Sequence, residues 1–261
     1  MKPLKTLFLT IYGSYCWVLF VVLSLCAVVF TLPVPSLHGR RHITRAIARC
    51  FLALAGFRLK VNGLKDLPNE ACVVVANHAS YLDGLVFHAL LPVRFAFIIK
   101  KEMVTVPLAG FLLRRLGSEF VDRFNRHRAA SDVRRVLRRA ASGEALVCFP
   151  EGTFSSTPGI HKFHAGAFVA AARAGLPIVP MTIRGTREIL PDGRLLPWPG
   201  SIQVDLLCCL AAAEADDPQA PIRLRQQSKQ LIMSSLGEPD LDTLPTKRAP
   251  VEPAAAGTPT A

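Results

Sequence analysis

The chain has 261 residues, of which 51% are hydrophobic, and 31 Lys+Arg against 19 Asp+Glu give a formal net charge of +12. Mean hydropathy is +0.33; this length suits one α/β domain with a real core plus extras, and a basic, apolar chain suits anionic membrane surfaces, phosphorylated ligands or nucleic acid. The seven cysteines (Cys16, Cys26, Cys50, Cys72, Cys148, Cys208 and Cys209) are odd in number and show no CxxC spacing. That excludes a disulfide framework or a zinc site and predicts reduced core residues.

From Thr6 to Gly39 there is no Lys, Arg, Asp or Glu. The apolar run exceeds the h-region of a signal peptide and reaches the roughly 20 residues needed to cross a bilayer. Lys2 and Lys5 precede it; Arg40, Arg41, Arg45 and Arg49 follow it, which puts the main domain on the cytoplasmic side. Tyr12, Tyr15 and Trp17 suit a spanning or an interfacial helix equally well. Residues 1–34 are therefore expected to be a membrane-associated segment.

"HGRRHITRAIARCFLALAGF" reads as a helix, and after it strands and helices alternate. The stretches at 57–63, 71–77 and 94–101, "SEFVDR", "EALVCFP", "PIVPMTIRG" and "SIQVDLLCCL" read as strands. "DGLVFHALL", "VPLAGFLLRRLG", "RHRAASDVRRVLRRAASG", "HAGAFVAAARAG" and "APIRLRQQSKQLIMSSLG" read as helices. The alternation predicts an α/β domain over 35–236, with a mixed sheet flanked by helices and ligands at strand ends. Residues 237–261, rich in Pro, Ala and Thr, predict a disordered tail.

In "VVVANHASYLDG" a buried strand runs straight into an Asn, a His, a Ser, a Tyr and an Asp. A His and an Asp five apart arise easily by chance, and the chain holds a second pair, His127 and Asp132. That second pair falls on a basic helix, where five residues turn the side chains about 140° apart. His78, in a tight loop after a strand, can meet Asp83 on the helix that follows, as a base and its orienting carboxylate require. "FPEGTFSS" also follows a buried strand, with Pro150 fixing the backbone and Gly152 permitting close approach.

"NHASYLD", "GSEFVDR", "FPEGTFS" and "IVPMTIRGT", in this order, resemble the four blocks of the glycerolipid acyltransferases, the lysophosphatidic acid acyltransferase family. The resemblance covers roughly residues 60–210 and implies the glycerol-3-phosphate acyltransferase-like fold, bound to the inner membrane with its α/β domain on the cytosolic face. It implies catalysis by His78 and Asp83, with Asn77, Arg123, Glu151, Gly152, Thr153 and Pro180 binding substrate. It further implies acyl-CoA or acyl-carrier protein as co-substrate, a lysophospholipid acceptor, contact with membrane lipids, and no cofactor, metal or nucleic acid. Phosphate-binding members commonly carry an arginine after the Glu-Gly-Thr; here Phe154 stands there, which leaves Arg184, Arg187 or Lys162 as substitutes. The favoured acceptor is 1-acylglycerol-3-phosphate. A diester or amino-acid lysolipid, a thioesterase activity and a non-catalytic basic membrane-binding protein are the competing readings.

Overall fold

The structure, a computed structural model, describes residues 2–122, 126–213 and 217–243. Among these, seven strands form one sheet: β1 (Arg58–Asn62), β2 (Val73–Ala76), β3 (Phe95–Lys100), β4 (Glu119–Val121), β5 (Ala145–Cys148), β6 (Ile178–Arg184) and β7 (Ser201–Leu206). Their order is β1-β7-β6-β2-β5-β3-β4. The five strands from β6 to β4 are mutually parallel, and β7 with its parallel partner β1 runs antiparallel to them. The mixed sheet expected from the sequence is thus a parallel block with a reversed edge.

The central strands are buried on both faces, and side-chain period 2 divides their residues between two cores. Val74, Ala76 and Val147 pack with Phe51, Leu52, Val86 and Phe87, from α2 (Leu37–Leu54) and α3 (Leu82–Leu90). Val73, Val75, Leu146 and Cys148 face Val136 and Ala140 of α5 (Arg126–Ala141), Phe168 of α6 (Gly166–Arg173) and Ile232 of α8 (Ala220–Leu236). Edge strand β1 alternates exposed and half-buried residues instead. A short α4 (Ala109–Arg115) follows β3, and a one-turn α7 (Thr186–Ile189) follows β6. Gly185, at φ 87°, makes the turn into α7, and a Cβ there would lie 1.9 Å from the Ser201 carbonyl oxygen.

The apolar N-terminal segment is one helix, α1 (Lys2–Thr31), long and apolar enough to cross a membrane. It lies antiparallel along α2. The Tyr12 and Tyr15 hydroxyls donate to the Ala55 and Leu54 carbonyls at the far end of α2, and Arg115 donates to the Thr31 carbonyl. Trp17 Nε1 donates to the Leu195 carbonyl at 2.6 Å. Tyr12, Cys16, Leu19 and Leu23, at helical spacing, join the core on this side. Leu7, Ile11, Val18, Leu25 and Phe30 stay exposed.

Two expectations change. Cys16, Cys72 and Cys148 are buried, but Cys50, Cys208 and Cys209 are exposed, because they fall on the outer sides of a helix and a loop. The beginning of the expected tail is packed: Arg187 donates to both Glu238 oxygens, Glu238 accepts from the Gly159 N–H, and the Leu241 N–H donates to the Ile160 carbonyl. Residues 244–261 lie outside the described residues.

Candidate active site

Parallel neighbours β2 and β5 end side by side, so the loops that follow them meet at the carboxyl edge of the sheet. The first carries His78. Its Nδ1 lies 2.8 Å from Asp83 Oδ2, which also accepts the N–H groups of Ala79 at 2.6 Å and Ser80 at 2.8 Å. Asp83 sits in the first turn of α3 and is fully buried. An oxygen that accepts two backbone N–H groups takes the imidazole hydrogen as well. In the neutral imidazole Nδ1 is then the protonated nitrogen and Nε2 holds the lone pair. Ser80 locks the loop: its hydroxyl donates to the Leu190 carbonyl at 2.7 Å and accepts the Leu82 N–H.

The second loop wraps the same histidine. Phe149 stacks on the His78 ring at 4.5 Å between centroids and 19° between planes. Phe154 meets that ring at 4.6 Å and 61°, and Tyr81 meets Phe154 edge-on at 4.7 Å. Between the two phenylalanines, Glu151 turns inward. One carboxylate oxygen accepts the His78 N–H at 2.7 Å and the other the His161 N–H at 2.8 Å. Gly152, at φ 79°, makes this reversal possible, closed by its N–H donating to the Phe149 carbonyl. Burial pushes the Glu151 carboxyl up to about 8; the two N–H donors pull against that rise, and the charges of Asp83 and Glu238 add to it.

The structure brings His78, Asp83, Glu151 and Gly152 together. Asn77 is buried; its carboxamide donates to the Ile183 carbonyl at 2.9 Å and accepts the Ile183 N–H at 2.8 Å. Where β2 stops, this side chain continues the pairing with the β6 backbone and positions the loop. Glu151, also buried, straps the backbone of His78. Pro180 is buried within β6, opposite Val75. It falls between the end of the β6–β7 ladder and the bridge from Ile178 to Leu210, where a missing N–H costs nothing. Thr153 is exposed beside the site. Arg123 and the side chains of His127 and Asp132 lie outside the described residues.

Two of the proposed substitute cations are already occupied. Arg184 donates to Asp205 and to the Ser235 carbonyl, and Arg187 is held by Glu238. Lys162 is exposed. Phe149, Tyr81 and Ser80 are the site residues that sequence reasoning passed over. The available signal was the pair of phenylalanines flanking "PEGT".

The model of the family described as Acyltransferase matches residues 58–184. The mouse 1-acyl-sn-glycerol-3-phosphate acyltransferase alpha is 31% identical over 198 residues, 73% of this chain and 67% of that protein. The chain belongs to the acyltransferase family. Other relatives of this chain include a chloroplastic 1-acyl-sn-glycerol-3-phosphate acyltransferase of Brassica napus, 30% identical over 161 residues, 59% of this chain and 46% of that one. A lyso-ornithine lipid O-acyltransferase of Pseudomonas aeruginosa is 31% identical over 159 residues, 59% of this chain and 58% of that one. The chain spans about half the length of several of these curated relatives. The crystal structure of the 1-acyl-sn-glycerophosphate acyltransferase PlsC from Thermotoga maritima superposes with a TM-score of 0.72 at 20% identity, covering 91% of this chain and 97% of that chain. At that identity the match bears on the fold, a mixed α/β sheet flanked by helices.

Proposed function

We propose that the protein is a membrane-bound acyltransferase that moves a fatty acyl group from acyl-CoA or acyl-carrier protein to the hydroxyl of a lysophospholipid. The favoured acceptor is 1-acylglycerol-3-phosphate, giving phosphatidic acid. The observation that carries this reading is the 2.8 Å contact from His78 Nδ1 to a buried Asp83, which leaves Nε2 as a base at the mouth of the site. An alcohol is a poor nucleophile at neutral pH, and His78 Nε2 takes its proton as the oxygen attacks the thioester carbon. Asp83 stabilises the imidazolium so formed. The intermediate then collapses, the C–S bond breaks with its electron pair on sulfur, and His78 returns the proton to the thiolate. These steps use no metal.

The acceptors named for the mouse and plant relatives support the phosphatidic acid reading. A second reading, an acceptor of lower negative charge such as a lyso-ornithine lipid, is favoured by Phe154 in the loop and by Arg184 and Arg187 being paired. It also matches the name of the Pseudomonas relative. For the membrane, α1 is fastened to the domain from Tyr12 to Thr31 and is apolar on its free side, which supports a helix lying in the interface. The basic cluster Arg40, Arg41, Arg45 and Arg49 after it supports the cytosolic side for the domain. The test is an assay of purified protein with labelled palmitoyl-CoA and a panel of lysophosphatidic acid, lysophospholipid diesters and lyso-ornithine lipid. His78→Ala and Asp83→Asn are each expected to lower transfer by about 10²–10⁴-fold while thermal unfolding stays cooperative. Transfer at the wild-type rate in His78→Ala refutes the reading.

A further inference from the structure

Acyl transfer has a built-in competitor. Water can replace the lysolipid hydroxyl: its oxygen bonds to the thioester carbon, its proton goes to His78 Nε2, and the thiol leaves with that proton, releasing free fatty acid. Water outnumbers any lysolipid, so a base open to solvent would spend the donor. The surroundings of His78 bear on this. The Nδ1 edge of the ring is held by Asp83 and one face is covered by Phe149. Phe154 closes on what is left, and the side chain keeps 18% of its surface. Phe154 is only half-buried, and its outer side rests on Tyr81, itself 61% exposed. Two large aromatic rings at the mouth of the site, one against the base and one against the first, bury little core surface. They set apolar atoms against the imidazole, which an acyl chain tolerates and water does not.

We infer that Phe154, backed by Tyr81, is the water-excluding cover of His78 and sets the partition between acyl transfer and thioester hydrolysis. The inference rests on the acyltransferase reading and goes further by giving the two rings a task that neither the base nor its carboxylate performs. Phe154 is accordingly a specificity residue for hydroxyl over water. Its removal should change the product ratio and not merely the rate.

The experiment follows both products from labelled palmitoyl-CoA, acylated lipid and free palmitate, with the acceptor that the wild type uses best. Phe154→Ala is expected to raise the hydrolysis-to-transfer ratio by about tenfold or more, with Phe154→Leu in between because it keeps apolar bulk. Tyr81→Ala should shift the ratio in the same direction and Tyr81→Phe should leave it unchanged. A structural role alone lowers both products together. An unchanged ratio in Phe154→Ala and Phe154→Leu, whatever their total activity, therefore overturns the inference. If His78→Ala suppresses both products while those ratios stay constant, the acyltransferase reading stands and only the cover is wrong. If His78→Ala suppresses neither, the reading itself has failed.

Discussion

Glu151 is the residue whose role the sequence conceals most. A carboxylate in "PEGT" near a phosphate-binding loop looks like a ligand, yet it is buried and spent on two backbone N–H groups. With its carboxyl pushed up to about 8, the folded state holds more protons than the unfolded one between about pH 4.5 and 8. The contribution of Glu151 to stability therefore falls as pH rises through that window and is level above it. Glu151→Gln should remove this slope in melting temperature measured against pH. It should also cost about 1–3 kcal/mol, because its amide nitrogen turns a donor toward one of the two N–H groups. An unaltered pH slope in the variant would show that Glu151 does not titrate in this range. His78 and Asp83 were legible because their partnership is local: one loop and one helical turn. Glu151, Asn77 and Phe149 were not, because each acts on a residue brought near only by strand pairing, on Ile183 or on His78.

At the scale of elements, α3 carries Asp83 at its start and His88 near its end. His88 Nε2 lies 2.9 Å from the Thr44 hydroxyl of α2, and burial, with Arg41 and Arg45 beside it, pushes its pKa down to about 4. An unfolded histidine takes up its proton near pH 6.5, so between about pH 6.5 and 4 the unfolded state binds more protons and stability falls as pH falls. His88→Gln should remove a His88 contribution that falls by about 2–3 kcal/mol from pH 6.5 to 4, so the melting temperature of the variant should rise relative to wild type as pH is lowered across that window. Equal acid limbs in the two proteins would exclude His88 as the cause. Every strand read from the sequence is found, since runs such as Val73–Ala76 and Ala145–Cys148 are apolar throughout and short. Their order was not legible. Nothing local tells β7 and β1 to reverse at the edge, and one-turn α7 is too short to show a helical period.

For the molecule as a whole, the two titrations oppose each other between about pH 4.5 and 6.5 and leave a net decline in stability between about 6.5 and 8. The association of the whole chain with lipid is tested on the free side of α1. Ile11, Val18 and Leu25 point away from the domain. Replacing all three with Glu should reduce partition to anionic lipid vesicles by about 10-fold or more while the melting temperature of the domain holds. Unchanged partition would move the lipid contact to another surface. Removing residues 1–34 outright would also strip Cys16 and Tyr12 from the core on the α2 side.

The hexapeptide from Phe149 to Phe154 meets His78 three times: a ring beneath, a carboxylate on its backbone, and a ring across the opening. Three contacts on so short a span cannot vary independently. A change at Glu151 that lets the reversal relax also displaces both phenylalanines, so double substitutions in the segment should cost less than the sum of the singles. In an evolving lineage such a segment is exchanged as a block or kept as a block. On the role proposed for Phe154, acceptor preference and resistance to water are then inherited together.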